Sequence, residues 1–191
     1  MDSPIVSVII PNYNYAKYIA RTIDSVLAQT YKNTQIIVVD DGSKDESIQI
    51  LESYGDKVSV IQQKNQGVSL ARNNGVAASK GEFVAFLDAD DIWHPVKLEK
   101  QLERFKADSE VGLVHCSMDF IDPDDRPCGE NHNGMEGHVA NEFLRFDQGV
   151  VVVETSVANH REPPAGPVSS AAARVTMSGA SSRWATAATR S

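Results

Sequence analysis

The feature that most constrains this chain is a repeating pair of patterns. Short runs of apolar, β-branched residues that are apolar on both faces are each followed by a stretch with helical spacing. "IVSVII" at 5–10 and "TQIIVVD" at 34–40 read as strands buried on both sides, with "KVSVIQQ" and "EFVAFLD" as a third and fourth and "VGLVHC" as a fifth. Between them, Ile19, Ile23, Val26 and Leu27 fall on one helical face, with Asn14 placed to cap that helix. Ser43 and Glu46 stand in capping-box spacing ahead of a helix carrying Ile48 and Leu51, and Gly55 marks its stop. Val68 to Ser79 reads as a helix of small residues closed by Gly81, and Pro95 suits the first turn of one carrying Leu98, Leu102 and Phe105. Strands that alternate with helices predict an α/β sandwich with a mostly parallel sheet flanked by helices.

After Gly149 the vocabulary changes. The last stretch has no Leu, Ile, Phe, Tyr, Lys or Asp, and carries four Arg against two Glu. Ala, Ser, Arg, Thr and Pro dominate without a sustained period, so residues 150–191 are expected to be a disordered, frame-shifted or truncated tail. The division that follows is 1–122 as one folded half, 123–149 as a loop region opening the next, and 150–191 as the tail.

The formal net charge of −8 argues against nucleic acid or an anionic membrane as partner, since both call for surplus Lys and Arg. Cys116 and Cys128 are too few for a disulfide framework, no run of about 18 apolar residues offers a membrane span, and the acidic start is unlike a secretory signal. A cytoplasmic setting is the expectation.

Several strand ends are polar. "FLDADD" puts Asp88 and Asp90 two apart at the end of the fourth strand, on one side if the backbone stays extended. Two such carboxylates suit Mg²⁺ or Mn²⁺, although turn chemistry, with Asp91 as a helix cap, is the more ordinary explanation of an isolated DxD. In "VVDDGSKDES", Gly42, Ser43, Asp45 and Glu46 are accounted for as turn and helix-start residues, which leaves Asp40 and Asp41 at the lip of the sheet. Ligands of open α/β sheets bind outside the carboxyl ends of the strands. Tyr13, Asp41, Asp88 and Asp90 come to that one rim from three strands. Arg72 in "GVSLARNNG" supplies a guanidinium for an anion or, equally, a solvated helix face.

The stretches "VSVIIPNYNYAKYIARTIDSVLAQTYKNTQIIVVDDGSKDES" and "NQGVSLARNNGVAASKGEFVAFLDADDIWHPVKLEKQ" resemble the family 2 glycosyltransferases over about residues 4–122. The resemblance implies a GT-A type, Rossmann-like fold and transfer of a sugar, with inversion, from a nucleotide diphosphate (UDP above all) to a glycan or lipid-linked acceptor. It implies that Pro11, Tyr13 and Asp41 hold the base, with Asp41 accepting the imide N–H of uracil and Asp40 beside them. Arg72 and Asp88 would hold the rest of the nucleotide, and Asp90, with Asp88, a Mn²⁺ or Mg²⁺ ion that bridges the diphosphate. Cell-envelope polysaccharide synthesis at the inner face of the membrane, with peripheral attachment, is the setting the family suggests.

The resemblance stops where the family's general base is expected. The tail's only carboxylates, Glu154 and Glu162, sit in no matching motif, so no base is named and the acceptor half is expected to be incomplete. The alternative is a nucleotide-binding pseudoenzyme or inactive fragment. Zinc on Cys116, Cys128, His132 and His138 is disfavoured by the wide cysteine separation, and calcium in "DPDDRPCGENHNG" by its prolines. His115 reads as a packed strand histidine. A dinucleotide-binding dehydrogenase would want G-x-G-x-x-G where the chain has "PNYNYA", and a nucleotidyltransferase would want a glycine-rich basic loop there.

Overall fold

The computed structural model describes residues 3–107, 114, 116, 119–122, 126 and 128, together with the backbone of 151–154 and 158–159. Strand β1 (Val6–Asn12) is buried along its whole length. It pairs in parallel with β2 (Thr34–Asp40) on one side and with β4 (Phe83–Phe86) on the other. Beyond β2 lies β3 (Ser59–Gln62), and beyond β4 lies β6 (Val151–Glu154), giving the order β3-β2-β1-β4-β6 with every pairing parallel. The chain therefore builds outward from β1 to β3, then crosses back to lay β4 on β1's other edge. That reversal is a topological switch point, and it falls between β1 and β4.

Side chains alternate between the two faces of β1. Val6, Val8 and Ile10 join Ile36 and Val38 under α1 (Ile19–Leu27), α2 (Ser47–Ser53) and α4 (Lys97–Ala107), where Ile19, Ile23, Leu51, Leu98 and Leu102 complete the larger core. On the opposite face Ile9 packs with Val84 and Phe86, and Ile37 and Val39 pack with Ala71 of α3 (Val68–Ala78). Helix α3 lies unusually close to the sheet because Gly75 has no Cβ; one built there would meet Ile9 Cγ2 at 2.4 Å.

Two expected caps are different in the fold. Asn14 does not cap α1, whose first residue follows Tyr18 with no side-chain cap. It takes a left-handed φ of 59°, which Asn tolerates, and its Oδ1 accepts the Lys44 N–H at 2.7 Å. Ser43 does not form a capping box, because its hydroxyl is drawn to Asp40, Asn12 and Asn14; the Ser47 N–H at the start of α2 is taken by Asp45 Oδ1 at 3.0 Å. Gly55 does follow the end of α2, with φ 54°.

The stretch after Gly149 also differs from expectation at one place. Consecutive valines favour an extended backbone, and Val151–Glu154 pairs with Phe83–Phe86 as β6. A two-residue pairing joins β5 (Asp119–Phe120) to β7 (Ala158–Asn159). The expected strand 111–116 lies mostly outside the described residues, and Val114 and Cys116 are not in a strand. His115, His132 and His138 also lie outside them, as does the rest of the tail.

Candidate nucleotide site at the strand tips

Four parallel strands end on one rim, and their registers align the ends. Asn12 stands opposite Asp40, and Asp40 opposite Gln62. Leu87 continues the β4 side by donating its N–H to Ile9 C=O at 3.0 Å, so the acidic turn after β4 emerges beside the end of β1. Pro11 lies within β1 opposite Val39, and Tyr13 follows the strand with 40% of its surface exposed.

Asp40 is spent on the fold. Its Oδ1 accepts the Ser43 N–H at 2.9 Å, and its Oδ2 accepts Asn12 Nδ2 at 2.8 Å and Ser43 Oγ at 2.5 Å. Ser43 Oγ in turn accepts the Asn14 N–H at 2.9 Å. This network ties the end of β1 to the loop after β2 and sets the backbone on either side of Tyr13. Asp40 thus has a structural duty that the sequence did not suggest.

Asp41 is held in a different way. Its Oδ1 accepts Gln63 Nε2 at 2.7 Å and the Gln66 N–H at 2.9 Å, and its Oδ2 accepts the Gly67 N–H at 2.8 Å. Burial pushes this carboxyl upward, but the donors from Gln66, Gln63 and Gly67 outweigh it and hold Asp41 below the usual carboxylate range. The carboxylate also anchors the start of α3, the helix that carries Arg72.

Arg72 reaches from α3 to Asp88, Nη2 to Oδ1, at 2.7 Å, with its guanidinium 5.8 Å from the centre of the Phe86 ring. Its Nε is buried without a hydrogen-bond partner among the described residues, and so is Asn12 Oδ1. Such groups lose free energy unless something satisfies them.

The expectation that Asp88 and Asp90 extend one strand face does not hold. Strand β4 ends at Phe86, and the Asp91 N–H donates to Asp88 C=O at 3.0 Å, closing a turn. Asp88 is half-exposed and paired with Arg72, whereas Asp90 is buried at 3% exposure. Among the described residues no three His, Cys, Asp or Glu side chains cluster as metal ligands would. Two acidic side chains match what Mg²⁺ or Mn²⁺ ordinarily takes from a protein when phosphate and water complete its shell.

The turn is fixed from behind by residues that sequence reasoning passed over. Thr22 Oγ1 donates to Ala89 C=O at 2.8 Å, and Ser25 Oγ accepts the Trp93 N–H at 3.1 Å. Gln29 Nε2 donates to His94 C=O at 2.8 Å, while its Oε1 accepts the Leu98 N–H at 3.1 Å. All three side chains are buried. The signal was present: Thr22 and Ser25 share the inward side of α1 with Ile19, Ile23 and Val26, and Gln29 follows just past the end of that helix.

The chain is similar to known proteins over most of these elements. The chain is 50% identical over 125 residues to an uncharacterized glycosyltransferase of Nostoc sp., a match covering 63% of this chain and 38% of that protein. It is 47% identical over 121 residues to one of Rickettsia prowazekii, with the same coverage. The chain thus spans well under half the length of these relatives. Among solved structures, S. aureus TarS 1-349 in complex with UDP-GlcNAc superposes with a TM-score of 0.53 at 29% identity, covering 72% of this chain and 38% of that one. The mannosyltransferase PcManGT of Pyrobaculum calidifontis, in complex with GDP-Man and Mn2+, gives 0.55 at 26% identity, covering 60% and 36%. The family model for Glycosyl transferase family 2 matches residues 7–163, and the chain belongs to that family.

Proposed function

We propose that this chain forms the donor half of an inverting, metal-dependent glycosyltransferase, moving a sugar from a nucleotide diphosphate, UDP first, to a glycan or lipid-linked acceptor. One observation carries the reading. The Asp41 carboxylate follows β2, and Asp88, paired with Arg72 of α3, and Asp90 follow β4, so they flank the end of β1 beside the switch point of a parallel sheet. Related folds bound to UDP-GlcNAc and to GDP-Man with Mn2+ support it.

In this reading Pro11 and Tyr13 flank the base and Asp41 accepts an N–H from its edge. Asp40 keeps the loop in place. Arg72 is aimed at phosphate, with its present partner Asp88 toward the ribose and the cation. Asp88 and Asp90 would hold Mn²⁺ or Mg²⁺, which when bound stabilises the charge that grows on a departing diphosphate without a proton transfer. An inverting displacement needs a general base for the acceptor hydroxyl, and the described residues assign none.

Residues 1–122 make the donor half, and 123–149 open the acceptor region. No helix among the described residues is long and apolar enough to cross a membrane; work at the inner membrane face on cell-envelope glycans would use peripheral attachment. Calorimetry with UDP and Mn²⁺, followed by incubation with UDP-sugars, tests the reading. Binding heat is expected, and binding without transfer would favour a nucleotide-binding module. No heat from the folded protein would end the proposal.

A further inference from the structure

Gln63, which follows β3, has no assigned part in the site, yet it is locked between two others. The carboxylate of Asp41 can only accept, so the Gln63 amide must face it with its NH₂ group. Its Oε1 is then left to accept Asn74 Nδ2 from α3, at 2.5 Å. Asn74, Gln63 and Asp41 thus form a relay whose direction is fixed at its acceptor end.

A carboxylate offers about four lone-pair positions, two on each oxygen. In Asp41, Oδ1 has both of its positions filled, by Gln63 Nε2 and the Gln66 N–H. Oδ2 has one filled, by the Gly67 N–H. Among the described residues one position remains, on Oδ2.

The count matters for the base of a nucleotide. Uracil and thymine present a single N–H between two carbonyls, which one free position satisfies. Guanine presents two adjacent N–H groups, and a carboxylate meets such a pair with one position on each oxygen. With Oδ1 full, the second guanine N–H would lose water and gain no acceptor.

We propose that Gln63, held by Asn74, is a specificity-determining residue that restricts the site to nucleoside diphosphates with a uracil-type base and rejects guanine. The inference rests on the nucleotide-sugar reading above, with Asp41 at the base. Gln63 acts through Asp41 and is a positioning residue. Neighbours of related fold have been solved with either base, UDP-GlcNAc in one and GDP-Man in the other, so the fold itself does not decide the choice.

The test is calorimetric titration of the 191-residue chain with UDP and with GDP, each with Mn²⁺, for the wild type, Gln63→Ala and Asn74→Ala. The wild type should bind UDP at least about tenfold more tightly than GDP, the loss that one unsatisfied charged hydrogen bond brings. Gln63→Ala opens Oδ1 and the space beside it, and should shrink the UDP-to-GDP preference by about tenfold. Asn74→Ala frees the amide to turn and should shrink it part of the way; it also serves if Gln63→Ala melts early by circular dichroism. An unchanged preference in folded variants that still bind UDP overturns the role of Gln63 and leaves the nucleotide site standing. A folded wild type that binds neither nucleotide overturns both.

Discussion

The guanidinium of Arg72 and the carboxylate of Asp88 meet at 2.7 Å, joining the middle of α3 to the turn that follows β4. Both side chains keep much of their surface in solvent, 32% and 47%, so the pair contributes little to stability, about 0–1 kcal/mol. In the proposed reading its worth is in holding the guanidinium at the rim. Arg72→Ala should therefore leave the melting temperature almost unmoved and weaken UDP binding with Mn²⁺ by about tenfold. A large loss of stability with unchanged affinity would make the pair a structural brace only.

The Asp41 carboxylate gives a pH dependence whose sign follows from its hydrogen bonds. Its folded pKa lies below the unfolded value, so its contribution is in place above the ordinary carboxylate value, about 3.9, and fades as pH falls through the folded value. Acid titration should show the wild type losing this stability below about pH 4, and Asp41→Asn should lose less over that window. Parallel acid curves for the two proteins would deny the anchoring role at the start of α3.

Lys97 offers a second titration, in which the fold disfavours the charged form. Burial drives its ammonium down from 10.5 to about 7, with the nearby Cys116 thiol opposing the shift. Its Nζ donates to Gln101 Oε1 at 2.7 Å and lies 4.5 Å from the centre of the Trp93 ring. Between pH 7 and 10 the unfolded chain holds this proton and the folded chain gives it up, so stability rises with pH across that window. Lys97→Met should remove the rise. The wild type should gain on the variant by up to a few kcal/mol between pH 7 and 10, roughly 1.4 kcal/mol per unit. A constant difference across the range would show that the lysine stays charged when folded.

Gly75→Ala would ordinarily strengthen a helix by about 1 kcal/mol. Here the new methyl would come within 2.4 Å of Ile9 Cγ2, on a β-branched side chain that is fully buried and close to its own backbone. Overpacking of that kind costs about 1–3 kcal/mol. The substitution should lower the denaturation midpoint in urea. A higher midpoint would mean that α3 can lift from the sheet at little cost.

The layered fold was legible because fully apolar runs such as "IVSVII" and "TQIIVVD" have only one comfortable home, a parallel sheet covered on both faces. The sequence also brought Tyr13, Asp41 and the acidic turn to one rim, since a βα unit delivers its strand ends to a single side. What it hid was the division of labour there. Asp40 and Asp41 are neighbours in "VVDDGS", yet one closes a network with Asn12 and Ser43 while the other takes the N–H groups of a loop more than twenty residues on. Such partners are long-range contacts that periodicity does not encode. The same holds for Asn14 and Ser43, whose capping chemistry was recognised but whose partners lie across the loop from each other. The valines of β6 were passed over because the composition around them outweighed a four-residue run.

The central claim is that carboxylates at the tips of β2 and β4 serve one bound nucleotide diphosphate and its cation. It is tested most directly by titrating UDP into the wild type and Asp90→Ala by calorimetry, each with and without Mn²⁺. The account predicts that the wild type binds UDP more tightly with Mn²⁺ and that Asp90→Ala loses this metal-dependent gain. Wild-type binding that is indifferent to Mn²⁺, or a gain that survives in Asp90→Ala, would contradict it.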